Sequence, residues 1–259
     1  MKDVIVLEHV YKRFKRYPTR SYTTLKDYVI RGDFLRCKPK QYVEAIKDAT
    51  FSVAEGTVLG IIGPNGSGKS TLLRLIAGIY RPSSGRIFVK GRVSALLSLG
   101  LGFHPELTGR ENIIIGGLAM GLSRREITKR LDEIIDFAEL REFVDAPIRT
   151  YSSGMYMRLA FSVAINVNPD ILLLDEILAV GDISFAQKCR EKISEFKKSG
   201  KTILLATHDL EMVAHWCHKA LLLQNGEVRA LGEASKVVSL YKMEVLASLT
   251  QGLHESRSY

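Results

Sequence analysis

The sequence predicts an α/β protein: a wound, largely parallel sheet with an antiparallel β portion added to it. Three observations carry that prediction. The runs "TVLGIIG", "DILLLDE" and "KTILLATH" are short and apolar, as strands buried on both faces must be. Helical patterns separate them. Near both ends of the chain the pattern changes to strand-like stretches, in "VEAIKDATFSVAEG" and in "KALLLQNGEVRALG", where Asn225-Gly226 suits a two-residue hairpin turn.

In chain order, "VIVLEHVYKRF" reads as a first strand. "TTLKDYVIRGDFLR" places Leu25, Tyr28 and Val29 near one side at helical spacing, predicting a short amphipathic helix. "VEAIKDATFSVAEG" is a strand closed by a Gly turn, and "TVLGIIG" is the first buried strand. The helix predicted over "KSTLLRLIAGIY" stops at the turn cluster "RPSSG". "RIFVKGRVSALLSL" is further strand material. Arg110 to Phe143 reads as helical. Within it Ser123 and Glu126 have capping-box spacing, in which hydroxyl and carboxylate satisfy N–H groups at a helix start. "SSGMYMRLAFSVAINV" is a helix, "DILLLDE" a strand, and "SFAQKCREKISEFKKSG" a helix closed by Gly200. After "KTILLATH" come the helix "DLEMVAHWC", the hairpin, and a helical tail that turns polar.

The apolar fraction, 46% of 259 residues, is ample for a core. No uninterrupted apolar run is long enough to cross a membrane, and the first residues lack the apolar stretch of a secretory signal. Cys37, Cys189 and Cys217 lie far apart and match neither a disulfide framework nor a zinc spacing, which predicts a reducing, cytosolic setting. The net charge is +9, and residues 12–40 hold ten Lys or Arg against two acids. Such a segment suits an anionic partner such as nucleic acid, lipid head groups or nucleotide phosphates, or else is a solvated surface.

The chemistry concentrates in "GPNGSGKST", Gly63, Pro64, Asn65, Gly66, Ser67, Gly68, Lys69, Ser70 and Thr71. A Gly-rich loop between a buried strand and a helix turns backbone N–H groups toward a phosphate, and the helix start adds positive potential. Lys69 can reach the β- and γ-phosphates, and the Ser70 hydroxyl can bind Mg²⁺. Asp175 ends the strand "ILLLD", where an acid beside a phosphate loop is placed to hold Mg²⁺, and the next acid, Glu176, can polarise an attacking water. His208 ends another buried strand and should reach the same rim. His215 and His218 read as structural.

These motifs together resemble the nucleotide-binding subunit of ABC transporters. The resemblance covers about residues 1–235. "YSSGM" stands where that family carries its signature, with Ser152, Ser153, Gly154 and Met155 matching its second to fifth positions, and "AVGD" matches the loop whose acid is Asp182. It implies an ABC ATPase fold, a phosphate-loop core sheet with an antiparallel β subdomain and an α-helical signature subdomain at about 104–165, and a C-terminal helix and tail at 236–259. It further implies ATP and Mg²⁺ as cofactors, Ser70 and Asp175 on the metal, and Glu176 and His208 as catalytic. The signature is implied to complete the ATP site of a second copy in a head-to-tail dimer holding two ATP. Phe14, Tyr17 or Tyr42 would stack on adenine, and Ser98, Leu99 or His104 holds the place of the glutamine that usually links nucleotide to the membrane subunit.

"YSSGMYMRLAF", "LAVGD" and "GFHPELTGREN" resemble the branch exporting bacterial polysaccharides, O-antigen most closely, then teichoic acid or capsule. The implied setting is the cytoplasmic face of the bacterial inner membrane, peripheral, through an integral permease subunit and with no nucleic acid. Residues 12–40 would pack on that subunit or near lipid head groups. Two other classes compete: an ABC ATPase acting on DNA or ribosomes, disfavoured by a single phosphate loop and no long heptad, and a nucleotide-gated adaptor, disfavoured by Glu176 and His208.

Overall fold

The computed structural model describes residues 2–16, 41–97, 99–100, 102–175 and 182–255, with side chains as far as residue 247. The expectations on residues 17–40, including Tyr17 and the amphipathic helix, lie outside the described residues, as do those on Ser98, Glu176 and 177–181.

Nine strands form two sheets among the described residues. Asp3–Arg16 (β1), Gln41–Ala54 (β2) and Ser84–Val89 (β4) make an antiparallel sheet with β1 in the middle. Val58–Ile62 (β3), Val93–Ala95 (β5), Ile171–Asp175 (β6), Thr202–Ala206 (β7), Lys219–Gln224 (β8) and Glu227–Glu233 (β9) make the larger sheet, in the order β5-β6-β7-β3-β8-β9. All its pairings are parallel except the β8–β9 hairpin, which turns through Asn225 and Gly226 at φ 49° and 82°. Positive φ at both turn residues is what a type I′ hairpin requires.

The helices are Lys69–Ile76 (α1), Gly109–Ala119 (α2), Arg124–Ala138 (α3), Ser153–Ile165 (α4), Ile183–Lys198 (α5), Leu210–Trp216 (α6) and Ala234–Glu255 (α7). Successive strand residues point to opposite faces, and the large sheet sorts its side chains accordingly. Ile61, Leu173, Leu204 and Leu221 meet α1 and the antiparallel sheet, while Ile62, Leu172, Leu205 and Leu222 meet α4 to α7. Each such burial contributes about 1.5–3 kcal/mol. A third cluster, with Ile113, Ile127, Ile135, Leu159 and Val163, binds α2, α3 and α4 together. Helix α4 serves two clusters, Phe161 and Ala164 facing the sheet and Leu159 and Val163 facing α2 and α3. Val237 and Val238 bring the start of α7 into the sheet-side core.

Three expectations need correction. Helix α1 stops at Ile76, short of the expected Tyr80. Gly78 turns at φ 73°, and the N–H groups of Ile79 and Tyr80 both return to the Arg74 carbonyl (3.0 and 3.1 Å). The helical stretch from Arg110 is broken, because Gly121 (φ 82°) ends the first helix and the Ser123–Glu126 capping box starts a new one; Glu139, at φ 59°, caps its end. A second box, Thr108–Glu111, starts α2. The strand material after Arg86 splits between the two sheets, turning at Gly91 (φ 119°).

Candidate functional site

The parallel register sets the site. Asp175 lies level with Ala206, and Ala206 level with Ile61, so the C-terminal ends of β6, β7 and β3 form one rim. Gly63 follows β3 by one residue, and His208 follows β7 by two. Asn65 to Thr71, Asp175, His208 and Val43 to Ala45 line a single cleft of about 430 Å³. Sequence reasoning placed the first three groups here; the β2 residues 43–45 enter only through sheet packing and carry no motif.

The glycines fit a loop closed around an anion. A Cβ on Gly63 (φ 144°) would lie 1.9 Å from the Leu223 carbonyl oxygen, and one on Gly68 (φ 107°) would lie 2.5 Å from that of Ala45. Gly66 (φ 75°) has open space where its Cβ would be. Gly68 is the N-cap of α1, which has no side-chain cap and no acid in its first turn, so the helix presents N–H groups to the cleft. The Lys69 ammonium folds over the loop and donates to the carbonyls of Gly63 (2.8 Å) and Pro64 (3.1 Å). Ser67 Oγ is buried without a hydrogen-bond partner, an orphaned polar atom inside the loop. These features fit a bound phosphate chain, and Ser70 and Asp175 on the same cleft wall supply the oxygens a hard cation takes.

His208 is exposed at the rim, and the next residue, Asp209, caps α6 by accepting from the Met212 N–H (2.9 Å). His218, by contrast, accepts from the Val58 N–H through Nδ1 (3.1 Å), a structural contact. Cys189 and Cys217 are buried free thiols, and burial pushes both up to about 12. Among the described residues no cluster suits a protein-only metal site, and no helix is long and apolar enough to cross a membrane.

"YSSGM" lies elsewhere. Ser152 is the N-cap of α4, its Oγ accepting from the Met155 N–H (3.2 Å), again with no acid in the first turn. A Cβ on Gly154 would meet Ser152 Oγ, at 3.8 Å, and nothing else among the described residues, so none of them demands glycine there. Ser152 to Met155 line a second concavity of about 580 Å³ with Phe143, Arg158 and Asp182, sharing no residue with the phosphate cleft. Tyr151 does not face it. Its hydroxyl donates to the Phe143 carbonyl (2.8 Å), sits where a Cβ on Gly109 would be (2.3 Å), and is raised above its ordinary pKa of 10.0 by burial.

Phe14 pairs in register with Val43, which lines the cleft, but Phe14 does not itself line it, and its ring packs edge-on against Tyr80 at 5.4 Å. Tyr42, one residue before Val43 and so on the opposite face of β2, is 58% exposed. Leu99 packs against the core, and His104 is held by buried Asn112, whose Oδ1 accepts from its N–H (2.7 Å); neither lines the phosphate cleft. In the basic stretch, Arg13 pairs with Glu44 (2.9 Å) and Lys12 donates to the Arg81 carbonyl (2.8 Å).

Residues 46–179 match the family described as ABC transporter. The O-antigen export system ATP-binding protein RfbB of Myxococcus xanthus is 51% identical over 245 residues, covering 93% of this chain and 56% of that protein. RfbB of Klebsiella pneumoniae is 46% identical, covering 93% of this chain and 98% of that one. The teichoic acids export ATP-binding protein TagH of Bacillus anthracis is 44% identical, and this chain spans 43% of its length. Among solved structures, the dimeric ATP-binding cassette MJ0796 bound to ADP and Pi superposes with a TM-score of 0.68 at 23% identity, over 89% of this chain and 98% of that one. That likeness shows the fold.

Proposed function

This chain belongs to the ABC transporter family, and from that premise we propose that it is the ATP-binding and ATP-hydrolysing subunit that powers export of a lipid-linked, O-antigen-type polysaccharide. The polymer would pass through a partner permease, with this subunit peripheral on the cytoplasmic face of the inner membrane. The observation that carries the reading is the common rim of β3, β6 and β7, which gathers the phosphate loop, Asp175 and His208 around one cleft. The likeness to RfbB favours O-antigen, and the likeness to TagH supports teichoic acid as the second reading.

In this reading the loop N–H groups and Lys69 hold the phosphates, Phe14 meets the adenine, and Ser70 and Asp175 hold Mg²⁺, which when bound neutralises phosphate charge. Glu176 takes the proton of the attacking water, and His208 contacts the terminal phosphate. Ser152, Ser153, Gly154 and Met155 offer a hydroxyl and helix-start N–H groups to the nucleotide of a second copy. The separation of the two concavities within one chain supports that arrangement, and Asp182 borders the second. The cassette is assigned to residues 1–235, its helical subdomain to about 104–165, and the C-terminal helix and tail to 236–259.

Replacing Glu176 by Gln should leave ATP binding intact and slow turnover at least about a hundredfold, as loss of a positioned base does. The same substitution should abolish polymer export in cells carrying the neighbouring membrane subunit. Near-normal turnover would remove Glu176 from the mechanism, and continued export would remove the coupling.

A further inference from the structure

The signature concavity is larger and less polar than a phosphate group alone requires. Its volume, about 580 Å³, is that of a small-molecule site. Ser152 to Gly154 bring a hydroxyl and the start of α4, but Leu140, Phe143 and Met157 line it as well. Its guanidinium, on Arg158, is committed to Glu139 (2.8 Å) and Asp182 and lies over the Phe185 ring at 5.1 Å. What remains beside the helix start is an aromatic, an aliphatic and a thioether side chain, a set that suits a planar ring. Phe143 is 49% exposed, although the turn that carries it is fixed. Its neighbours Leu140 and Val144 are buried in the cluster that joins α2, α3 and α4. Its N–H donates to the Leu140 carbonyl (2.9 Å), and its carbonyl accepts from the Ala146 N–H (2.9 Å) and the Tyr151 hydroxyl (2.8 Å). Tyr151 immediately precedes Ser152, so that last bond ties the Phe143 turn to the start of the signature helix. Phe137, Phe161 and Phe185 pack on one another, whereas the Phe143 ring meets no other aromatic ring among the described residues.

The phosphate cleft has the complementary need. None of the described residues lining it is aromatic, and the Phe14 ring is already packed against Tyr80. A purine whose phosphates are seated there has a face left to cover. We propose that Phe143 of one copy stacks on the nucleotide base held by the other, so that the signature concavity receives the base as well as the terminal phosphate. This rests on the function proposed above. The ring needs no reordering to do so, because its backbone is held by three hydrogen bonds before any nucleotide arrives. The contact is made only in the dimer, and it adds to affinity for the second copy rather than to the first capture of nucleotide by the phosphate loop.

The test follows dimerisation by light scattering in wild type, Phe143→Ala and Phe143→Trp, using the β,γ-imido analogue of ATP, which is not cleaved. Half-maximal dimerisation should need about tenfold more analogue in Phe143→Ala, the scale of one base–aromatic stack, and Phe143→Trp should restore it. Fluorescent-nucleotide titration of dilute, monomeric protein should be unchanged in all three, because the phosphate loop is untouched. Phe143→Trp also reports the contact directly. Trp216 is the single tryptophan of the wild-type chain, so the added emission belongs to position 143. A stacked base should quench that emission at protein concentrations that give dimers and leave it unchanged in monomers. An unchanged requirement for analogue in Phe143→Ala would overturn the proposal and leave the ATPase reading intact. A loss that Phe143→Trp fails to restore would also overturn it, reducing Phe143 to a structural part of its turn. Quenching already present in the monomer would overturn it too, placing the contact within one chain. A wild type that binds the analogue and hydrolyses ATP yet never dimerises would overturn the shared site itself, and this proposal with it.

Discussion

Replacing Gly68 by Ala should damage both the stability and the nucleotide affinity of this protein, whereas Gly66→Ala should damage mainly affinity. At Gly68 the new methyl would lie 2.5 Å from the Ala45 carbonyl oxygen and 3.0 Å from Ile46 Cδ1, on a backbone at φ 107°. The oxygen is main chain in β2 and cannot swing aside. Overpacking of this kind costs about 1–3 kcal/mol, and backbone strain adds about 1–3 kcal/mol. At roughly 2–4 °C per kcal/mol for a chain of this size, the melting temperature should fall several degrees or more. Gly66, at φ 75° with nothing near its would-be Cβ, carries only the strain of a left-handed residue, roughly 1–2 kcal/mol. Thermal melts and fluorescent-nucleotide titrations on both variants check the pair. Equal melting temperatures would mean that the loop is not wedged between β2 and β8, and wild-type nucleotide binding in either variant would remove the loop as the phosphate cradle.

Lys69→Ala should lose nucleotide affinity in the same titration, and unchanged binding would count against the loop. Ser152→Ala removes the α4 cap and should cost about 1 kcal/mol, read as a small drop in melting temperature together with reduced hydrolysis. Thiol labelling at pH 8 should leave Cys189 and Cys217 unmodified in the folded protein, since both are pushed up to about 12, and unfolding should expose them. The capping acids Glu111 and Glu126 are held below their ordinary 4.5, Glu111 first by the Thr108 N–H and Glu126 first by the Ser123 hydroxyl. A depressed carboxylate stabilises above its unfolded value and loses that contribution as the pH falls through the folded one. Acid melts should therefore show a stability loss below about pH 4.5 that is smaller in Thr108→Ala and Ser123→Ala.

The core sheet was legible because its strands are buried on both faces, so "TVLGIIG", "DILLLDE" and "KTILLATH" could only be central strands. The hairpin at Asn225-Gly226 and the Ser123 cap were legible because local chemistry decides them. What escaped was decided at a distance. The early end of α1 depends on a carbonyl of Arg74 receiving two N–H groups beyond Gly78. The contribution of Val43 to Ala45 to the cleft depends on how β2 crosses the phosphate loop. Arg158 reads as one more cation on a helix until Glu139, Asp182 and Phe185 are seen around it. Tyr151 stands in the signature-like stretch of the sequence, yet in space its hydroxyl bonds the Phe143 carbonyl beside Gly109, and its neighbours Ser152 to Met155 line the concavity without it.

The central claim is that the phosphate cleft of one copy is completed by the signature turn of another. Mixing two inactive variants tests it most directly. Lys69→Ala disables the loop and keeps the signature, while Gly154→Asp places an acid at the α4 start and keeps the loop. A mixed dimer of the two contains one site with both halves intact. The account predicts that ATP hydrolysis, absent from either variant alone, appears on mixing. Wild-type hydrolysis with none recovered in a mixture shown to contain mixed dimers would contradict a site shared between two chains.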